Sequence, residues 1–309
     1  MVSHSELLHE TADVLQDEGF TVYQSPGMMR YFDLIGVGDY KLFIKVLANV
    51  DNLHREEGSE LNRLAGAFSS RAVIVGDHAG MEKLHDDIVY QRFKNLCVNL
   101  RTLKHLLSGE SISRFTERGQ LLVKVDGDKI RDLREEMGLT RNELAGLLGC
   151  SSQAVYRIET QDRMSEDTYE KALALFKRGF SLDGITTVKE NRTDISKDVG
   201  YNPTQKGQLG DPLKRRVTSE LTRLHFNSVS FNSPIDFALE DKPLLTPVSM
   251  SEAEMRRKQR VAKSLSEVLY CDVLHITRER RARRLPCISI DELKKAESKE
   301  EILEKGKDE

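Results

Sequence analysis

Residues 133–159 read LREEMGLTRNELAGLLGCSSQAVYRIE, a run whose apolar spacing predicts short helices separated by Gly138 and Gly149. Ile130, Leu133 and Met137 fall at i, i+3 and i+7, a one-sided stripe on a first helix that Gly138 ends. Thr140 is the natural N-cap of a second helix, and Glu143 three residues on completes a capping box. That helix buries Leu144, Ala145 and Leu148. Ser151 caps a third helix, which turns Val155 and Ile158 inward. The small Ala145 lets Val155 approach as closely as a helix-turn-helix crossing requires. At about 100° per residue, Gln153, Tyr156 and Arg157 point the other way, with Ser152 at the exposed N-terminal end. Ser165 caps a fourth helix with the stripe Tyr169, Ala172, Leu173 and Phe176.

This stretch resembles the Cro/C1-type helix-turn-helix. The matching positions are Leu133, Arg134, Leu139, Thr140, Glu143, Leu144, Ala145, Leu148, Gly149, Ser151, Val155, Ile158 and Glu159, in fixed register. The resemblance implies that Ser152, Gln153 and Arg157 face base edges of double-stranded DNA and that Arg141 lies near a phosphate. Ser151, Tyr156 and Arg163 complete the candidate DNA-contacting set. The chemistry agrees: Gln pairs bidentately with adenine, Arg with guanine, and a helix N-terminus favours phosphate. One departure stands out, since the family often has glycine just after the Glu159 position and this chain continues Thr160, Gln161, Asp162. Residues 128–178 hold nine Lys/Arg against ten Asp/Glu, so the bundle has no basic excess. A helical bundle used for protein contacts is therefore the alternative reading.

The 309 residues suggest two or three domains, at roughly 100–150 residues each. A net charge of −3 excludes a generally basic, histone-like binder. Cys97, Cys150, Cys271 and Cys287 are scattered and suggest neither a zinc site nor a disulfide framework. Cys150 precedes a helix cap, where a thiol can be acidified, but core filling is the commoner use of that position. The N-terminal MVSHSELLHETADVL is amphipathic and acidic, unlike a signal peptide, and no apolar run is long enough for a membrane span. The expectation is a soluble, cytoplasmic protein without cofactor or metal.

Upstream, a helix at Glu6–Asp17 leads into TVYQS, Pro26-Gly27, then a hairpin of MMRYFDLIGV and KLFIKVLANV turning at Gly38-Asp39. A helix around Glu56–Phe68, the strand AVIVG and a further helix-and-strand pattern through Tyr90–Leu107 follow. The order α-β-β-β-α-β suggests an α/β sandwich around a mixed sheet. It resembles the restriction-endonuclease-like fold, in which one carboxylate and an acid-x-lysine pair on the next strand hold metal and activate water. Asp33 stands at the first acid. If Lys45 is the lysine, the second acid position holds Phe43; shifted by two, the pair becomes Lys45 and Leu47. Asp39-Tyr40-Lys41 has the right letters but falls in the turn. The expectation is a nuclease-like fold without nuclease chemistry.

Downstream, Asp183–Pro212 shows no apolar period and reads as a linker. The next segment echoes the first: VTSELTRLHFNSVSFNSPIDFAL parallels TADVLQDEGFTVYQSPGMMRYFDLI, with Phe226 for Phe20, Ser233-Pro234 for Ser25-Pro26, and Asp236 near the place of Asp33. LLTPVS, a helix through Arg256–Leu269, DVLHI and Leu285–Leu293 continue the parallel, with Pro247 where an acid-x-lysine pair would fall. A weak internal duplication is inferred, with chance similarity as the alternative. Arg278, Arg280, Arg281, Arg283 and Arg284 form the densest positive run, either phosphate-contacting or simply solvated, and the tail from Glu297 reads as frayed.

The expected fold class is α/β (α+β) modules flanking an all-α Cro/C1-type helix-turn-helix domain. The boundaries are 1–122 for the first module, 123–182 for the helix-turn-helix domain, 183–215 for the linker and 216–309 for the second module. This order resembles a family of transcriptional regulators found in archaea. It implies a DNA-binding regulator, a homodimer reading two half-sites, with no enzymatic activity to carry over. A nuclease guided by its helix-turn-helix, or an interaction scaffold, are the competing readings; any small-molecule effector is left open.

Overall fold

The computed structural model describes residues 2–25, 31–117, 119–177, 211–226, 228–230, 235–239, 244–278 and 286–305. The expected linker up to Gly210, Pro26-Gly27, Ser233-Pro234 and Arg280–Arg284 lie outside the described residues. The described parts of 1–18, 46–53 and 73–191 form one compact unit, and those of 19–45, 54–72 and 192–309 a second.

Helix α1 (His4–Asp17) opens on a capping box between Ser3 and Glu6 and buries Leu7, Thr11 and Leu15. Strands β1 (Thr21–Gln24), β2 (Leu34–Val37) and β3 (Lys41–Asn49) form an antiparallel meander, with Val37 opposite Lys41 across the expected turn. Leu34, Ile35, Leu42 and Ile44 are all fully buried, and since the adjacent Leu34 and Ile35 point to opposite faces, the meander is covered on both. Helix α2 (Arg55–Ala67) is followed by β4 (Arg71–Ala79). A two-residue strand β5 (Glu82–Lys83) folds back on β4, then come β6 (Ile88–Arg92), β7 (Asn95–Val98) and α3 (Leu100–Ser108). β7 runs parallel to β4 and antiparallel to β6. The α-β-β-β-α-β order expected from the sequence is present, with the short β5–β6 insertion added.

The helix-turn-helix region carries strands that the apolar spacing does not announce. β8 (Arg114–Glu117) and β9 (Gln120–Lys124) form a hairpin, β8 lying parallel to β6. After α4 (Gly127–Glu136), α5 (Arg141–Leu148) and α6 (Ser152–Gln161), strand β10 (Arg163–Ser165) pairs antiparallel with β9 before α7 (Glu166–Phe176) begins. The bundle is thus bonded to a hairpin by a backbone ladder as well as by its core.

In the second unit, α8 (Pro212–Arg223) precedes β11 (Ser228–Ser230), β12 (Phe237–Leu239), β13 (Leu244–Thr246) and β14 (Val248–Ser249). Helix α9 (Glu252–Leu269) leads to β15 (Asp272–Val273), β16 (His275–Thr277), β17 (Cys287–Ser289) and α10 (Ile290–Lys295). β11, β12 and β13 are antiparallel neighbours; β13 pairs parallel with β15, β14 with β16, and β16 with β17. This is the first module's sequence of helix, antiparallel meander, crossover helix, parallel strands and closing helix. Pro247, which lacks a backbone N–H, divides β13 from β14, while its carbonyl still accepts from Ile276 N at 2.9 Å. The tail is not frayed throughout: α11 (Lys299–Lys305) buries Ile302 against Leu224, Leu293 and the rest of this core, which its amphipathic spacing permits. Arg63 on α2 donates to Ser230 O at 2.5 Å, so part of the first module packs within the same unit as the second. Among the described residues no helix is long and apolar enough to cross a membrane.

Candidate nucleic-acid interface

The expected apolar positions Ile130, Leu133, Leu144, Ala145, Leu148, Val155, Ile158, Tyr169, Ala172 and Phe176 share one buried cluster with Val123, Val125 and Met164 of the adjoining strands. Each aliphatic side chain taken wholly from water contributes roughly 1.5–3 kcal/mol, so this core fixes the helix orientations. Met137 departs from the expectation. It caps α4 and is 47 % exposed, because Arg134, four residues after Ile130, takes the next inward position.

The three N-caps form as read. Thr140 Oγ1 accepts from Glu143 N at 3.3 Å while Glu143 accepts from Thr140 N at 2.8 Å. Ser151 Oγ accepts from Ala154 N at 3.1 Å, and Ser165 Oγ from Thr168 N at 3.3 Å. Gly149 takes a left-handed φ of 66° to turn the chain from α5 toward α6. The departure after Glu159 also has a structural use. Helix α6 runs on to Gln161 and ends at Asp162, also left-handed at φ 55°, whose Oδ1 accepts from Gly127 N at 3.1 Å. A Cβ at Gly127 would sit 2.6 Å from Ile158 O, so only glycine lets the start of α4 touch the end of α6 this closely.

The side chain of Glu159 is wholly buried and sits in a knot of arginines. Its Oε1 accepts from Arg134 Nε and its Oε2 from Arg141 Nε, both at 2.7 Å, while Arg131 donates to its backbone carbonyl at 3.0 Å. Arg134 also donates to Leu139 O at 2.9 Å. Burial alone would raise the Glu159 carboxyl, but the two bonded guanidiniums hold it below its ordinary value. Its charge orients α6 on α4 and α5. Apolar periodicity does not reveal this ion cluster; the signal was Arg134 and Glu159 at matching positions of the Cro/C1 resemblance.

The candidate DNA-contacting residues separate into two groups. Gln153, Tyr156 and Arg157 are exposed on one side of α6, Ser152 is half-buried at its start, and Ser151 is exposed at the cap. The side chains of Gln153 and Arg157 have no hydrogen bond or ion pair to other described residues. Arg141 and Arg163 are engaged internally. Arg141 is bonded to Glu159 and lies 5.4 Å over the Tyr156 ring, and Arg163 pairs with Glu117 of β8 at 2.5 Å. Cys150 is half-buried against the core, and burial pushes its thiol up, in keeping with core filling.

The acid positions of the two modules have different surroundings. Asp33 lies just before β2; its N–H donates to Ile44 O at 2.8 Å and its carboxylate pairs with Lys45 on β3 at 3.2 Å. Phe43, two residues before Lys45 and so on the same side of the strand, is buried edge-on to Phe32 (5.3 Å) and stacked on Phe68 (5.9 Å). An aromatic core contact fills the place where the acid-x-lysine pattern needs its carboxylate. Asp39 and Tyr40 lie in the bend before β3, as expected, but Lys41, also expected in the turn, is the first residue of the strand because it pairs with Val37. In the second module Asp236 precedes β12 as Asp33 precedes β2, but its side chain is wholly buried between Lys258 of α9 (2.7 Å) and Lys214 of α8 (2.5 Å), and it accepts from Val248 N at 2.6 Å. Lys258 was legible as a lone cation in the stripe Met255, Val261, Ala262, Leu265, all buried. Among the described residues no three His, Cys, Asp or Glu side chains are grouped to hold a metal ion.

Comparison with known proteins bears on both regions. Residues 4–112 match the family model of the PD-(D/E)XK superfamily domain, and residues 127–178 that of a helix-turn-helix domain. Over nearly its whole length the chain is similar to archaeal proteins that each carry the name "putative HTH-type transcriptional regulatory protein". That of Methanocaldococcus jannaschii is 27 % identical over 98 % of this chain and 96 % of its own. That of Thermoplasma acidophilum is 26 % identical over 96 % and 95 %, and that of Pyrococcus horikoshii 28 % over 98 % and 97 %. No solved structure matches the chain. The family resemblance and the α/β-flanked helix-turn-helix fold class read from the sequence are thereby borne out.

Proposed function

With a PD-(D/E)XK superfamily domain and a helix-turn-helix domain in one chain, we propose that this protein is a sequence-specific DNA-binding regulator of transcription and not an enzyme. In this reading α6 enters the major groove of double-stranded DNA, and a homodimer presents two copies of it to two half-sites. The observation that carries it is the division of α6: Val155, Ile158 and Glu159 are anchored inward while Gln153 and Arg157 stand exposed, their side chains without a partner among the described residues. Gln153 suits adenine and Arg157 guanine, both bidentately. Ser151, Ser152, Tyr156, Arg141 and Arg163 flank them, Arg141 and Arg163 reaching phosphate only by sharing or exchanging their present carboxylate partners. The names of the relatives support the regulatory role. In this reading residues 123–182 are the reading head, and the modules at 1–122 and 216–309 supply assembly.

In vitro site selection followed by binding measurements on the chosen duplex tests the proposal. Arg157→Ala is expected to cost roughly 1–3 kcal/mol on the preferred site and to relax specificity at one base pair. Unchanged site preference would sink the docking, and magnesium-dependent cleavage lost in Asp33→Ala would replace the regulator by a nuclease.

A further inference from the structure

The second module contains a small cavity that the DNA-reading function does not use. It has a volume of about 120 Å³ and is lined by Ser249, Ser251, Glu252, Met255, Thr277 and Arg278, with Met250 at its edge. That is room for several water-sized groups. Its position follows from topology. Ser249 ends β14 and Thr277 ends β16, the two being paired across the parallel ladder, so their side chains share one face. The cavity therefore lies beyond the carboxyl ends of parallel strands, at the start of the crossover helix α9.

The chemistry of the wall is that of an oxyanion site. α9 is 18 residues long, and the first-turn amides of Glu252 and Ala253 have no helical carbonyl to bond. Ser249 is 2 % exposed, and its hydroxyl has no hydrogen-bond partner among the described residues. Leaving a buried hydroxyl unsatisfied is costly, which is a reason to expect a group that satisfies it. Thr277 adds a second hydroxyl, which donates to Ile288 O at 3.4 Å, and the exposed Arg278 is among the lining residues. The two carboxylates of the first turn are already matched: Glu252 pairs with Arg256 at 2.5 Å and Glu254 with Lys258 at 2.9 Å. On the same sheet face, His275 is buried with both ring nitrogens unpartnered among the described residues.

We propose that this cavity binds a phosphate group, held by the Ser249 and Thr277 hydroxyls, the first-turn amides of α9 and the Arg278 guanidinium. Its size admits a free phosphate or the phosphate of a small ester, and its rim leaves a DNA backbone phosphate as the other source of the same chemistry. The full chain is titrated calorimetrically with inorganic phosphate at constant ionic strength against chloride, and in a second arm with a short mixed-sequence duplex. Saturable phosphate binding that weakens roughly tenfold in both Ser249→Ala and Arg278→Gln is expected, as for loss of one charge-assisted bond. Binding lost from the duplex arm alone in both variants would assign the pocket to the DNA backbone. Ser249→Ala removes one buried oxygen and preserves the fold. If it binds in both arms as the parent does, or if neither arm responds to either substitution, the proposal is overturned.

Discussion

The two α/β modules use the same order of helix, meander, crossover and closing helix, yet treat one acidic position differently. In the first, Asp33 faces Lys45 across adjacent strands at 3.2 Å, and the pair keeps side-chain exposures of 17 % and 12 %. In the second, Asp236 is wholly buried and held by lysines from two helices, with a backbone amide as a further donor. The difference begins at Pro247. A strand cannot carry an acid-x-lysine pair through a residue that breaks it, and the counter-charge for Asp236 comes from helices instead. An ion pair that sits in a sheet with some water access contributes little to stability, while a buried one becomes a structural requirement.

Removal of the two acids separates these cases. Asp236→Ala leaves Lys258 and Lys214 without their shared anion, and is expected to destabilise the second module by about 3–5 kcal/mol, read from urea unfolding and from amide exchange in β12–β17. His275 gives a second, smaller contrast. Burial, reinforced by Lys258, lowers its pKa to about 4, so it is neutral in the fold. The unfolded chain takes up that proton at about pH 6.5, and stability is therefore lost as pH falls from there toward 4, by on the order of 3 kcal/mol. His275→Leu should flatten this part of the profile; an unchanged slope would mean that another group titrates. The smallest effect belongs to Asp33→Ala, below that of Asp236→Ala, because Asp33 and Lys45 keep some water access while Asp236 keeps none. Equal losses at Asp33 and Asp236 would erase the contrast between the modules.

How much of this was legible in the sequence depends on the kind of interaction. Caps at Thr140, Ser151 and Ser165 act over three residues, and the stripes of α5 and α6 over seven, so local spacing sufficed for them. The meander and its turn at Gly38 were equally local. Met137 was misplaced because its period is right but Arg134 competes for the same buried direction, drawn in by Glu159 twenty-five residues away. β8, β9 and β10 were overlooked since each is only three to five residues long and partly exposed, with β10 defined by its pairing to β9. The candidate set on α6 was readable as an exposed face, but the ion pairs that occupy Arg141 and Arg163 depend on partners in other elements.

Those occupied arginines have a consequence for ionic strength. Each phosphate that a protein neutralises steepens the fall of log K with log salt by about 0.9, through release of condensed counter-ions. Under the proposed docking, a helix-turn-helix region with nine basic and ten acidic residues between 128 and 178, whose Arg134, Arg141 and Arg163 already face carboxylates, is expected to displace few of them. The prediction is a shallow salt slope: binding to a selected duplex that rests on base edges should persist in salt concentrations at which basic DNA-binding surfaces let go.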